Sequence, residues 1–378
     1  MSSVFSDVLN KPLLQSFKKY VESEKQDEKI LAYASFVSEI YENGASLTDL
    51  VSRLVFEDEN VYVRCRAHSK TVNKNILASL RYELDAFSEL CALTPSDFIE
   101  DMGVQYASPF DSKSIDLYKQ YEKRIKNIGK YGYGIFSSYG MLRLNDNKEI
   151  EPIKSADKTS VSTFVGYEEE RGAVITNTRA FVEGRPAANT LLCGDAGTGK
   201  SSTVKAIANM FFDEGIRLIE LRKDQLSSLP LVMGKISENP LKFIIFIDDL
   251  SFNQNDDNFS MLKAALEGSA SAKADNAVIY ATSNRRHIIK ESFAERDGDD
   301  VHRNDTVQET LSLSERFGLT VLFQKPDKRL YLEIVHELAE RNNIKKDLHE
   351  LDIEAEAFAL RRGNRSPRCA EQFIESLM

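Results

Sequence analysis

Gly194-Asp195-Ala196-Gly197-Thr198-Gly199-Lys200-Ser201 decides how the rest of the chain is read. It fills the pattern G-x-x-x-x-G-K-[ST] completely. In front of it Asn189-Thr190-Leu191-Leu192-Cys193 reads as a short buried strand. Behind it Val204, Ile207, Ala208 and Phe211 recur at helical spacing. Glycines at 194, 197 and 199 let successive backbone N–H groups turn inward as an anion nest, and the helix that follows adds its positive dipole end. Lys200 supplies a cation for the β- and γ-phosphates and Ser201 a hydroxyl for Mg²⁺. The stretch therefore points to a nucleoside triphosphate site.

Working outward, residues 164–325 alternate strand and helix. Strands are expected at Ile216–Leu221, Phe243–Ile247, Ala277–Thr282 and Leu319–Phe323. Helices are expected over Glu168–Phe181, over Asp224–Ser237, and over Asp257–Gly268 through Phe259, Leu262 and Leu266. Phe243–Ile247 is apolar throughout, as a parallel strand covered on both faces must be. The alternation implies a three-layer α/β domain with a mainly parallel sheet. Residues 1 to about 130 read as helical. Leu47, Leu50, Val51, Leu54 and Val55 form one apolar face and Ile76, Leu80, Leu84, Phe87 and Cys91 another. Met141–Leu144 and Glu149–Ile153 suggest a small hairpin that closes this region. The expected organisation is a mainly helical domain over 1–155, a nucleotide core over 156–325 and a helical segment over 326–378.

The strand at 243–247 runs into Asp248-Asp249. Ligands collect where parallel strands end, so Asp248 is a candidate holder of Mg²⁺, and Asp249 a candidate for positioning or deprotonating a water. Thr282-Ser283-Asn284 closes the next strand, where Asn284 can orient water or touch the γ-phosphate. Ser314-Glu315-Arg316-Phe317-Gly318 places an arginine just before the last strand, suited to spreading charge over a transferring phosphoryl group.

With these residues in view, the chain resembles an AAA+ ATPase. Gly194–Ser201 is similar to that family's Walker A element, Phe243–Asp249 to Walker B, Asn284 to the first sensor and Arg316 to the arginine finger. Arg368, within Arg365-Ser366-Pro367-Arg368, is similar to the second sensor on the helical lid. Asn177-Thr178, Gly194–Ser202, Phe246–Phe252, Tyr280–His287, Leu311–Gly318 and Arg362–Ser366 resemble the prokaryotic AAA+ family catalogued as domain of unknown function 815, strongly over about 130–378. The resemblance implies a P-loop NTPase core with a C-terminal lid, ATP and Mg²⁺ as ligands, and contacts to nucleotide from Gly194 through Ser202. It also implies a homo-oligomer in which Arg316 acts in trans, working on a protein client. Glutamate is usual where this chain has Asp249. The shorter side chain implies slow hydrolysis unless a partner closes the site. A helicase-loader-like role on DNA and a slow ATP-dependent switch are the rival expectations.

Composition bounds the remainder. The net charge of −10 does not support a broad nucleic-acid footprint but leaves room for a local basic groove. Lys70 to Lys74 reads as a solvated turn, and Arg285-Arg286-His287 as a basic cluster that pairs with local acids, faces a neighbouring subunit's nucleotide or touches nucleic acid. Glu291 to Glu309 reads as a charged loop. The apolar runs are too short to cross a bilayer. No signal peptide is evident, and four scattered cysteines suit a reducing cytoplasm.

Overall fold

The computed structural model describes residues 3–155, 159–250, 262, 263, 266, 274–284 and 316–378. The helix expected over Asp257–Gly268 falls mostly outside them. The Arg285–His287 cluster and the charged loop fall wholly outside. The chain divides into two compact units, Met1–Tyr139 with Glu238–Leu241, and Gly140–Ser237 with Lys242–Met378.

The first unit is helical: α1 Ser6–Leu9, α2 Pro12–Glu22, α3 Gln26–Glu42, α4 Leu47–Phe56, α5 Val61–Ala67, α6 Lys74–Ala92, α7 Pro95–Met102, α8 Leu117–Lys126 and α9 Ile128–Tyr131. Polar caps start several of them. Ser46 Oγ accepts from the Asp49 amide at 3.2 Å, and Asp116 Oδ1 from the Lys119 amide at 2.8 Å. The expected faces are the buried ones, since Leu47, Leu50, Val51, Val55, Leu80, Leu84, Phe87 and Cys91 all enter one core.

The second unit is built on a seven-stranded sheet in the order β2-β1-β4-β5-β6-β3-β7. Its strands are β1 Met141–Leu144, β2 Ile150–Pro152, β3 Thr190–Gly194, β4 Ile216–Leu221, β5 Lys242–Ile247, β6 Ala277–Ser283 and β7 Leu319–Phe323. Among the described residues, only the β1–β2 pair is antiparallel. The helices are α10 Glu168–Val182, α11 Lys200–Met210, α12 Leu229–Ile236, α13 Lys328–Arg341, α14 Leu348–Arg362 and α15 Pro367–Glu375. The last three share their own core around Tyr331, Ile334, Ala355 and Phe373. The fold is therefore a mainly parallel α/β sheet domain, with helical regions before and after it in the sequence.

Two expectations need correction. The hairpin at 141–152 does not close the helical region, because β1 pairs in parallel with β4, Leu142 opposite Ile219. Both strands fall in the second of the two units. The single helix expected over Asp224–Ser237 is a 3₁₀ segment, Lys223–Ser228, followed by α12. Pro230 lacks an amide hydrogen and suits the first turn of a new helix rather than the middle of an old one.

Candidate nucleotide site

β3 delivers the chain to the glycine loop, and register fixes what surrounds it. Gly194 lies opposite Phe323 in β7 and has φ 134°; a Cβ there would run into the Phe323 carbonyl oxygen. Glycine at 194 is thus demanded by close backbone approach. The Asp195 amide donates to Phe323 O at 3.1 Å, and Asp195 Oδ2 accepts from the Lys325 amide at 2.9 Å. Thr198 Oγ1 donates to Asp195 O at 2.9 Å, closing the loop on itself. Ala196 lies in this loop, and Gly199 precedes α11 with φ 85°.

Lys200 opens α11 and is 5% exposed. Its Nζ donates to the carbonyls of Gly194 at 3.1 Å and Asp195 at 2.6 Å. Burial holds its ammonium below the ordinary lysine range, while Asp195, Asp248 and Asp249 pull the other way. Ser201 Oγ donates to Asp248 Oδ1 at 2.6 Å. Ser202 lies one residue on and lines the cleft described below.

Asp248 and Asp249 leave the end of β5, next to β6, which lies between β5 and β3. Asp248 Oδ1 also accepts from Thr282 Oγ1 and, at 3.1 Å, from the Asp249 amide. The same amide reaches Thr282 Oγ1 at 2.9 Å. Asp249 has φ 50°, a left-handed conformation that aspartate tolerates better than most residues. Its Oδ1 accepts from Asn284 Nδ2 at 2.7 Å. Thr282 was not among the expected site residues. A polar side chain at the end of a buried strand was its one signal.

Arg368 is brought to the loop from far along the chain. Its amide donates to Gly197 O at 3.4 Å, and Ser366, which caps α15, lies beside Gly197. Arg365 pairs with Glu356 through two contacts, at 2.8 and 2.9 Å, fastening the turn between α14 and α15. Arg316 is not brought to the loop. It precedes β7, whose first residue, Leu319, pairs with Thr190 at the far end of β3 from Gly194.

A cleft of about 130 Å³ opens beside the loop. Phe164, Tyr167 and Arg171 line one side, Ile334 and Leu338 of α13 another, and Arg368 and Glu371 of α15 a third. Arg171 is 6% exposed, donates to Gly166 O, and lies 5.4 Å from the Phe164 ring. Burial, with help from Glu375, lifts the Glu371 carboxyl above its usual range, and Arg368 opposes this. Apart from Arg368, the expected residues did not include these lining side chains, which follow no short pattern.

The arrangement offers a loop and helix start for phosphates, a buried ammonium, and two hard oxygen donors, Ser201 Oγ and Asp248 Oδ1, within hydrogen-bond distance. That donor set fits Mg²⁺ shared with phosphate oxygens. The family model described as protein of unknown function (DUF815) matches residues 137–378. The chain belongs to the DUF815 family. No curated protein matches it. Among solved structures it is similar to the Thermotoga maritima RuvB Holliday junction branch migration motor, at 14% identity and TM-score 0.39. Two point-substituted forms of that protein match at 16% identity, with TM-scores of 0.39 and 0.40. Each match covers 57% of this chain and 63% of the other, less than two thirds of the matched protein.

Proposed function

We propose that this DUF815 member is an AAA+ ATPase that binds Mg-ATP between residues 194–202 and Asp248 and hydrolyses it as a cytoplasmic homo-oligomer to remodel a protein or complex. The observation that carries the reading is the Ser201–Asp248 contact of 2.6 Å beside a buried Lys200 at the start of α11. The chain's own groups divide the work. Loop amides and Lys200 hold phosphate oxygens, and Asp249 with Asn284 holds the attacking water. Arg368 reads the nucleotide state from the lid, and Arg316 of a neighbouring protomer meets the transferring group. Ser201 and Asp248 would hold Mg²⁺, which would supply charge neutralisation at the phosphates.

A switch with slow turnover is the second reading, and a specific contact favours it. Asp249 is shorter than glutamate and is already engaged by Asn284 at 2.7 Å. Both readings are tested on the full chain by fluorescent-ATP binding with and without Mg²⁺, phosphate release, and size in a non-hydrolysable analogue. Multiple turnover with nucleotide-dependent assembly supports the remodeller. Tight retention with negligible release supports the switch. Absence of Mg²⁺-dependent binding defeats both.

A further inference from the structure

We infer that α8 and the turn after it form a docking surface for the phosphate backbone of a nucleic acid. Between Leu117 and Tyr131 the sequence holds Lys119, Lys123, Arg124, Lys126 and Lys130 against a single acid, Glu122. Lys119, Lys123 and Lys126 stand at i, i+4 and i+7 of α8, so they share one face. Lys130 follows in α9, and all four are exposed.

The structure separates these lysines from charges already in use. Arg124 lies 4.4 Å from the Phe56 ring and 4.7 Å from that of Tyr131, and donates to Ser137 O, so it serves packing. Glu122 is engaged by Tyr62 Oη at 2.7 Å. Elsewhere in the same unit Lys18, Lys25, Lys29, Arg81 and Lys113 each meet a carboxylate. Among the described residues, none of the four ammonium groups in the row has a carboxylate partner.

The occupant follows from the chemistry of the face. Lysine is depleted at the centres of protein interfaces, which rely on aromatic and apolar anchors. Among the described residues, no exposed large apolar side chain falls between Tyr106 and Met210 in the sequence, so α8 and α9 themselves carry none. Along α8 the first three lysines are spaced by axial rises of about 6 and 4.5 Å, and Lys130 follows in α9. Duplex DNA carries a charge every ~1.7 Å of axis. Each lysine therefore finds a phosphate without a fixed register, as sequence-indifferent binding requires. The negative net charge of the whole chain is no obstacle, because screening limits the reach of its other charges to about 10 Å in ordinary salt.

The test is fluorescence anisotropy of a labelled mixed-sequence duplex with the full, nucleotide-free chain, titrated with salt from about 50 mM upward. Leaving out nucleotide keeps the outcome independent of the ATPase reading. Binding is expected with a log–log salt slope of about −3.6, about 0.9 for each of the four lysines. The triple variant Lys119→Gln/Lys123→Gln/Lys126→Gln should weaken it at least about tenfold and flatten the slope by about 2–3, since about 0.9 counterion is released per neutralised phosphate. The same three positions changed to arginine should keep both, which separates lost charge from lost folding. Lys18→Gln/Lys19→Gln/Lys25→Gln removes equal charge elsewhere and should leave binding intact. No binding at low salt, equal weakening by the control variant, or equally tight binding of polyglutamate overturns the assignment.

Discussion

The Asn284 amide donates a 2.7 Å hydrogen bond to Asp249, joining the ends of two neighbouring strands, β5 and β6. Asp249 sits in the left-handed region with its own amide tied to Asp248 and Thr282. Backbone and side chain are both fixed, and Asn284 sets where the free carboxylate oxygen stands. Asn284→Ala should lower kcat by about 10- to 100-fold, the range of a lost positioning or charge-stabilising contact, with KM for ATP changed little. Asp249→Asn should lower kcat at least as far yet retain nucleotide. Phosphate release and equilibrium binding measured side by side check both. Equal loss of binding would mean the pair is structural.

Gly194 is confined by its neighbour rather than by any ligand. With φ 134° and the Phe323 carbonyl where a Cβ would go, Gly194→Ala forces β3 and β7 apart. It should destabilise the sheet unit by about 2–4 kcal/mol, visible as a lower urea midpoint without nucleotide present. Gly199→Ala is the comparison. Gly199 also has positive φ, but nothing lies within 4 Å of a Cβ there, so about 1–2 kcal/mol is expected.

Much of the sheet and of the loop was legible because each rests on local constraints. Apolar runs such as Phe243–Ile247 fit only a doubly covered strand, and three glycines beside Lys200 and Ser201 have few other uses. The membership of the 141–152 hairpin was not legible. An alternating Met141–Leu144 reads alike whichever sheet it joins, and its parallel pairing with β4 rests on residues more than seventy positions away. The lining of the cleft was hidden for the same reason: Phe164, Arg171, Leu338 and Glu371 meet only after the sheet and the last helices are packed. Arg368 was expected through family resemblance. No spacing in the sequence shows its amide meeting Gly197 O.

Asp58 makes the helical unit sensitive to pH. It is 8% exposed, and burial raises its carboxyl to about 6, with Asp7 and Glu59 adding to the rise and Asn60 and Lys11 opposing it. A carboxyl whose folded pKa lies above its unfolded value favours the protonated native state. The stabilisation is full below about pH 4 and is lost as pH rises through about 6. Two units correspond to about 2–3 kcal/mol. Asp58→Asn keeps an oxygen for Asn60 Nδ2, now 3.0 Å from Oδ2, and removes the charge. The variant should be more stable than the parent by about 1–3 kcal/mol at pH 7.5 and equal to it near pH 4, by denaturant titration of the full chain. A difference independent of pH would place the titration elsewhere.

Arg316 gives the sharpest test of assembly. β7 runs parallel to β3, from Leu319 opposite Thr190 to Phe323 opposite Gly194. Four strand steps span about 13 Å, and Arg316 lies before the first of them, so its backbone starts at the edge of the sheet away from its own phosphate loop. In the proposed oligomer, an arginine placed there would meet a neighbour's site rather than its own. Arg316→Ala alone should lose hydrolysis by about a thousandfold or more while keeping nucleotide affinity, and Lys200→Ala alone should lose both. Mixing the two inactive proteins creates interfaces in which an intact phosphate loop meets an intact Arg316, and part of the activity should return in proportion to those interfaces. If mixtures stay inactive while size measurements show that the two chains co-assemble, Arg316 does not act across the interface.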